Sequence, residues 1–167
     1  MGMLTPSAAR TLLPAIISAP GLSLVAIGTH DDTWALPMAA HALQSLSEAR
    51  VRVLMFSQSF SEHSLNLVVR EQDQGHCLGV LRHEFGQREN GCAVGIKEKV
   101  ATISIVGVPG WNGDKIVSHT FAALGACGTR VIAVAQAATE YTISFCIPES
   151  QMAGTVRYLH RELGMET

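Results

Sequence analysis

The stretch VLMFSQSFSEHSLNLVV, from Val53 to Val69, returns as VIAVAQAATEYTISFCI from Val131 to Ile147. The two copies are 78 residues apart, and neither needs a gap to align with the other. In both, apolar and polar residues alternate on either side of a short turn, and a period of two is typical of a β-hairpin. A segment repeated at a fixed spacing indicates an internal duplication, which decides the architecture of the chain.

The same offset extends the duplication beyond the hairpin. Identical residues 78 positions apart are Arg52 and Arg130, Gln58 and Gln136, Glu62 and Glu140, Glu71 and Glu149, Leu81 and Leu159, Glu84 and Glu162, His41 and His119, and Leu46 and Leu124. The chain therefore contains two units of about 75 residues, each of them a supersecondary unit with the same order of elements.

Each unit begins with a short β-branched segment that ends in glycine, LSLVAIG in the first and VATISIVG in the second, which predicts a buried strand. Apolar residues at helical spacing then predict a helix: Leu36, Ala39, Ala40, Leu43 and Leu46, and in the second unit Val117, Thr120, Phe121 and Leu124. The hairpin follows. A last helix is predicted from Leu78, Leu81 and Phe85, and from Val156, Leu159 and Leu163.

This β-α-β-β-α series needs one more strand to form the α+β arrangement β-α-β-β-α-β, in which two helices cover one face of an antiparallel sheet. The first unit has a candidate at Cys92–Ile96, whereas the second has none before Thr167. We expect Pro14–Ser18 to cross over and complete the second unit. The predicted boundaries are residues 19–98 for the first unit and 99–167 plus 14–18 for the second, with 4–12 a short helix or a leader.

Composition and charge exclude several classes of function. The formal net charge is −2, and the Lys and Arg residues are scattered, so the basic surface that nucleic acid requires is not expected. The longest apolar run, after Arg10, is broken by Pro14, Pro20 and Gly21, which argues against a membrane span. A cytoplasmic protein is expected. The four cysteines have no C-x-x-C spacing and are expected to be reduced, small apolar residues.

The glycine-rich segment GVPGWNGDK, Gly107–Lys115, lacks both the Walker and the dinucleotide patterns. Free backbone N–H groups at a helix start suit a small carboxylate better than a nucleotide. The seven histidines include no H-E-x-x-H motif, and His41 and His119 are expected to be partly buried helix residues. We expect no catalytic residue, no metal site and no cofactor.

Gln58 and Gln136 end the first strand of each hairpin copy. An amide offers a donor and an acceptor without charge, which suits a zwitterionic ligand, but a polar residue in this position also commonly serves the backbone of a turn. The neighbouring Ser59 and Phe60 have become Ala137 and Ala138 in the second copy, whereas the glutamines are unchanged. Both interpretations stay open for each glutamine.

At these residues the sequence resembles a known family. SQSFSEHSLNLVV and AQAATEYTISFCIPES resemble the SQ-x-x-SE-x-SI signature of the paired ACT domains in the regulatory region of aspartate kinase, including the bifunctional aspartate kinase-homoserine dehydrogenases. The likeness extends through VATISIVGV, FAALGACGTRVIAVAQ and VRYLHREL and covers about residues 15 to 163.

The resemblance implies a ferredoxin-like fold for each unit, a homodimer formed through side-by-side ACT sheets, and an amino acid effector, lysine or threonine, at an ACT–ACT interface. It also implies an aspartate kinase catalytic subunit or domain as partner. The effector-binding residues that it implies are Gln58, Gln136, Asp31, Asp32, Asn112 and Asp114. The sequence departs from the family near Pro37 and Lys115, where the family has a glycine in the first turn of the helix, and the kinase catalytic portion does not occur in this chain.

Two hypotheses of different classes follow, and neither makes the chain an enzyme. The first is a tandem ACT module that senses an amino acid, as a small kinase subunit, a free-standing sensor or the C-terminal part of a larger kinase. The second is a degenerate ACT pair that serves only as a dimerisation or assembly scaffold and binds no ligand.

Overall fold

The computed structural model describes residues 15–31, 33, 35–59, 63–86, 92–107, 113–136 and 142–165. The strands are β1 (Ala15–Gly28), β2 (Met55–Ser59), β3 (Ser64–Arg70), β4 (Ala93–Val106), β5 (Ala133–Gln136) and β6 (Thr142–Pro148). The helices are α1 (Ala35–Glu48), α2 (Gln74–Phe85), α3 (Gly113–Ala126) and α4 (Met152–Glu162). A short 3-10 turn precedes α2 at Glu71–Asp73 and α4 at Glu149–Gln151. The repeat of elements predicted from the duplication is therefore present.

The strands form one antiparallel sheet in the order β2-β3-β1-β4-β6-β5. β1 and β4 lie at its centre, and each is 14 residues long, more than twice the length of an average strand. Each is long enough to serve both units. The α+β class and the interleaving of the two units are confirmed.

The first half of β1, Ala15–Ala19, pairs with Val106–Thr102 of β4, which in turn pairs with β6. The N-terminal strand thus completes the second unit, as predicted. The sequence pattern predicts two strands here, this one and LSLVAIG, which is wrong. Both belong to β1, and only a register shift between Ala19 and Leu22 divides them. In the same way, Ala93–Ile96 and the VATISIV segment form one strand, β4.

Pro14 and residues 4–12 lie outside the described residues. The boundaries of the two units, 19–98 for the first and 99–167 plus 14–18 for the second, stay a prediction.

Two apolar cores lie between the sheet and the helices. The first contains Val25, Ile27, Leu65, Leu67 and Val69 from the sheet with one face each of α1 and α2. The second contains Ile103, Ile105, Ile143, Phe145 and Ile147 with faces of α3 and α4. Each unit therefore covers one face of its sheet with its own two helices.

The buried stripe of the first helix differs from the predicted one. α1 buries Ala35, Met38, Ala39, Ala42 and Leu46, while Leu36 is 62% exposed and Ala40 is also exposed. In α3 the buried face shifts in the same direction, to Ile116, Thr120, Ala123 and Leu124, and leaves Phe121 at 44% exposure. Both helices carry more apolar residues than one face can bury. The sequence pattern therefore did not determine which face turns toward the sheet.

A third core lies on the opposite face of the sheet. Leu24 and Val68 alternate along their strands with residues of the first core, so they point away from the helices. They pack with Met55, Val100 and Cys146, and β2 and β5 come close to each other. The helix-free faces of the two units therefore face each other where the central strands pass from one unit to the next.

Equivalent glutamates connect the two units where β1 and β4 pass from one unit to the other. The carboxylate of Glu71 lies 2.6 Å from the Lys99 ammonium, and this hydrogen bond raises the pKa of Lys99. Glu149, 78 positions after Glu71, accepts a hydrogen bond of 3.3 Å from the backbone N–H of Gly21. Because Gly21 and Lys99 are also 78 positions apart, the two bridges are related by the duplication.

All four cysteines are free thiols. Cys77 and Cys146 are buried, and desolvation raises the pKa of each thiol to about 11. Both therefore stay protonated near neutral pH and act as small apolar residues, because the thiolate is the reactive form.

Thr120→Val is expected to raise the free energy of unfolding by about 1 kcal/mol, because it removes a buried polar atom that lacks compensation. The Thr120 side chain is fully buried, and within the described part of the chain its hydroxyl has no hydrogen-bond partner. The first unit has Ala42 at the equivalent position. Urea unfolding of the two proteins measures the difference.

Thr155→Val is the matched control, since the Thr155 hydroxyl donates to the Gln151 carbonyl at 2.9 Å and lies 2.7 Å from the Thr129 hydroxyl. It is expected to lower the stability by about 1 kcal/mol. Equal losses in both variants would show that the Thr120 hydroxyl is hydrogen-bonded.

Candidate functional site

Gln58 lies near the end of the edge strand β2, directly opposite Leu65 of β3. Leu65 belongs to the first core, so the Gln58 side chain lies on the helix-covered face of the sheet. Its amide Nε2 donates a hydrogen bond of 3.0 Å to the carbonyl of Ala35, the first residue of α1. Gln58 therefore joins the edge strand to the N-terminal turn of the helix.

Asp31 lies in the loop that leads from β1 into α1. Its Oδ1 accepts hydrogen bonds from the backbone N–H of Thr33 at 2.9 Å and from the Thr33 hydroxyl at 2.7 Å. The Asp31 backbone N–H donates to the Thr29 hydroxyl oxygen at 3.2 Å. Asp31 thus stabilises the loop just before the N-terminus of α1, to which Gln58 is hydrogen-bonded. Asp32 lies outside the described residues.

The equivalent residues of the second unit are arranged differently. Gln136 ends the edge strand β5 opposite Ile143 of the second core, and it is exposed. Its side chain makes no hydrogen bond to another residue of the described set, in contrast to that of Gln58. Asp114 is exposed in the first turn of α3, and Asn112 lies outside the described residues. The structure therefore gives the two glutamines the same position in the sheet, but within the described residues only the Gln58 side chain is hydrogen-bonded.

Sequence reasoning missed the exposed apolar residues beside the glutamines. Phe56 lies two residues before Gln58 on the same face of β2 and is 56% exposed, and Val134 has the equivalent position in β5 and is also exposed. The signal was available, because Phe56 and Val134 are 78 positions apart and alternate with the buried Met55 and Ala133. Each edge strand therefore presents an apolar residue and a glutamine side by side.

The two departures from the family pattern lie at the helix starts. Pro37 is the third residue of α1, where a proline costs no hydrogen bond, and Lys115 is the third residue of α3. The Lys115 carbonyl accepts a hydrogen bond of 3.2 Å from the Ser118 hydroxyl and lies 3.0 Å from Nδ1 of His119. The local helix geometry therefore accommodates both residues.

The prediction that His41 and His119 are partly buried is wrong, because both are exposed. His41 Nδ1 lies 3.9 Å from Glu84 Oε1. Each helix buries one apolar stripe, and the two histidines lie beside that stripe and outside it. Within the described residues, no three His, Cys, Asp or Glu side chains come together as metal ligands. Among the described helices, none has the length and apolar character needed to cross a membrane.

Comparison with known proteins places these features in a family. A family model described as "ACT domain" matches residues 37–85 and 103–163, which together cover more than half of the chain. The chain belongs to the ACT domain family. The two matched segments fall one in each predicted unit, hence the name ACT units.

The ACT units are similar to parts of longer curated proteins. The bifunctional aspartokinase/homoserine dehydrogenase of Buchnera aphidicola is 30% identical over 121 residues, which are 71% of this chain and 15% of that protein. The protein of the same name from Haemophilus influenzae is 28% identical over 130 residues, 75% of this chain and 16% of the relative. The chain therefore spans about one sixth of the length of these relatives.

The fold is that of solved aspartate kinase regulatory regions. The ligand-free regulatory subunit of aspartate kinase from Thermus thermophilus aligns with a TM-score of 0.74 at 22% identity, covering 89% of this chain and 97% of that one. The E. coli aspartokinase III complex with lysine and aspartate aligns with a TM-score of 0.68 at 17% identity, covering 89% of this chain and 32% of the neighbour. At such identities the likeness concerns the fold.

Proposed function

We propose that this chain is a regulatory module that binds a free amino acid, lysine or threonine, and controls an aspartate kinase catalytic domain or subunit. The observation that carries the proposal is the pair of glutamines at equivalent positions of the two edge strands, each beside an exposed apolar residue. An amide that meets both a carboxylate and an ammonium group, next to apolar surface, suits an amino acid.

The helix start beside Gln58 strengthens this proposal. The first backbone N–H groups of a helix lack partners within the helix and carry a partial positive charge, so they favour a carboxylate. The loop that holds Asp31 could offer its carboxylate to an ammonium group. In the first unit we therefore assign effector contacts to Gln58, Asp31 and Asp32, and in the second to Gln136, Asn112 and Asp114.

The identity of the effector rests on the family. The likeness to the lysine complex of aspartokinase III supports lysine, and threonine is the other effector that the resemblance implies. The chain holds none of the kinase catalytic portion, so we do not expect it to phosphorylate aspartate. We expect it to work in the cytoplasm, where free amino acids are made.

We further propose that two copies associate through their edge strands. β2 and β5 are the end strands of the sheet, and exposed apolar residues lie on both. Phe56 and Val134 are exposed on these two strands and would be covered in such a dimer. Each effector site would then lie at the interface between the two copies.

Control of a kinase would follow from linkage. An effector that prefers one arrangement of the paired units shifts the attached enzyme by a coupling free energy of about 1 to 3 kcal/mol. Because β1 and β4 each belong to both units, a change at one edge of the sheet is carried through strands that the other unit also uses.

A thermal-shift panel of the protein amino acids tests the proposal. At 100 times its dissociation constant, a ligand stabilises the protein by about 2.7 kcal/mol, which gives a clear rise in the unfolding temperature. We expect a response to lysine or threonine, and we expect Gln58→Ala and Gln136→Ala each to reduce it. Each variant is compared with its own ligand-free unfolding temperature, since Gln58→Ala also removes a hydrogen bond.

Gln44→Ala is the matched control, because Gln44 is exposed on α1 and bonds only the neighbouring Glu48 within the described residues, at 2.9 Å. It should leave the response unchanged. A response that survives in both the Gln58 and the Gln136 variants would refute the assignment of the site.

The second candidate is a scaffold that associates and binds no ligand. It is favoured by the hydrogen bond from Gln58 to Ala35, which gives that glutamine a purely structural partner. A panel without any response, together with a dimer in sedimentation velocity that Phe56→Ala dissociates, would establish this alternative and reject the sensor.

A further inference from the structure

A cavity of about 400 Å³ lies on the first unit at the helix-free face of the sheet. Ala26, Asn66 and Gly95 stand side by side on β1, β3 and β4, and all three line it. Along these strands they alternate with Ile27 and Leu65 of the first core, so they belong to the other face. Gly28 and Ala93, the next pair on this face of the sheet, extend the floor of the cavity.

The duplication provides a direct comparison with the second unit. The residues 78 positions from Ala26 and Asn66 are Ser104 and Ser144, whose hydroxyl oxygens lie 2.7 Å apart. The residue 78 positions before Gly95 is Ile17, which pairs with Ser104. The second unit therefore has a closed polar pair and a large side chain where the first unit has alanine, asparagine and glycine. These exchanges leave the first unit with an open depression.

Within the described part of the chain, two polar groups beside the depression have no hydrogen-bond partner. The Asn66 amide forms no hydrogen bond with another residue of the described set, and the Ser64 hydroxyl is a buried atom that likewise lacks a partner there. Lys97 is the one charged residue among the described residues that line the cavity. The neighbouring Glu98 carboxylate is bonded to Arg130, so it does not compensate Lys97.

We propose that this depression is a second small-molecule site, which binds a carboxylate compound of about the size of an amino acid. Asparagine N–H and lysine N–H groups are donors that pair well with a carboxylate, and a charged partner makes such hydrogen bonds stronger. The cavity volume falls at the lower end of the range found for small-molecule sites. Glycine and alanine on its floor let a ligand approach the strands closely.

This site is distinct from the effector site proposed above. Gln58 lies on the helix-covered face of the sheet, whereas Ala26, Asn66 and Gly95 lie on the opposite face. The second site is also confined to one unit. Its ligand could therefore act independently of an effector held between the edge strands.

Titration of the ¹⁵N-labelled protein with acetate and with succinate, followed by NMR, tests the proposal. We expect the side-chain amide signals of Asn66 and the backbone amide signal of Gly95 to shift and to approach saturation by about 10 mM, within the weak range expected for so small a ligand. No shift of these signals at that concentration would overturn the proposal.

Gly95→Ile installs the residue of the second unit and should abolish the shift. A Cβ at Gly95 meets no heavy atom within 4 Å, so the new side chain starts in open space. Asn66→Ser, also taken from the second unit, should weaken binding about tenfold, and it serves where the first variant folds poorly. Gly79→Ala, a change in α2 that likewise meets open space, is the control and should bind as the parent does.

The outcomes separate this proposal from the effector site. Gln136→Ala should leave acetate and succinate binding unchanged, and Gly95→Ile should leave the lysine or threonine response unchanged. Shifts that persist at full size in both Gly95→Ile and Asn66→Ser would overturn the second site without affecting the first.

Discussion

Phe145→Ala is expected to lower the free energy of unfolding by about 3 to 5 kcal/mol, the range for removing a buried aromatic ring. Phe145 is 0% exposed in the second core, and its ring meets the ring of Phe121 edge-on with 5.3 Å between the centroids. It lies on β6 between β4 and β5, so the cavity would form in the middle of the second unit. Urea unfolding followed by circular dichroism measures the loss.

Phe56→Ala is the matched control, because it removes the same atoms from a ring that is 56% exposed. Its effect on the unfolding free energy of the monomer should be below about 1 kcal/mol, as for most surface positions. A dilution series separates that value from any weakening of a dimer. Losses of equal size in the two variants would contradict the assignment of Phe145 to the core.

Gly21→Ala is expected to cost about 1 to 2 kcal/mol, because its left-handed backbone conformation disfavours a Cβ. Gly21 has a φ of 71° and lies at the register shift where β1 passes from the second unit to the first. An added Cβ would meet no heavy atom within 4 Å, so the cost is conformational and does not arise from a clash. Thermal and urea unfolding both measure it.

Gly95→Ala is the control for this second prediction. Gly95 also has open space around an added Cβ, but its φ lies outside the left-handed region. Alanine there should leave stability unchanged or raise it by about 0.5 kcal/mol, because it restricts the unfolded chain. If Gly21→Ala were equally harmless, the conformation of β1 at the crossing would have to differ from the one described.

The duplication made the order of elements and the crossover of the N-terminal strand predictable. The second unit lacked a closing strand, and Pro14–Ser18 was the extended segment left to supply it. Counting strands in this way works because a β-α-β-β-α-β unit needs its fourth strand to complete the sheet. That β1 is continuous could not be predicted in the same way, because Pro20 and Gly21 are residues that commonly end a strand.

Which face of α1 and of α3 is buried also could not be predicted from the hydrophobic pattern. Leu36 and Phe121 are apolar and fit a helical period, yet both are exposed, whereas Ala35 and Ala123 are buried. A hydrophobic period does not say which of several adjacent apolar residues faces the sheet, because that depends on how the helix packs.

The sequence by itself determined the duplicated α+β units, their likeness to paired ACT domains and the two glutamines at equivalent positions. Only the tertiary structure decided that Gln58 is bonded to Ala35 while Gln136 is exposed, and that Ala26, Asn66 and Gly95 stand together. The physical reason is the range of the interactions. The periods that predict strands and helices depend on residues close together in the sequence. These contacts join positions far apart in the chain and depend on how the strands are paired.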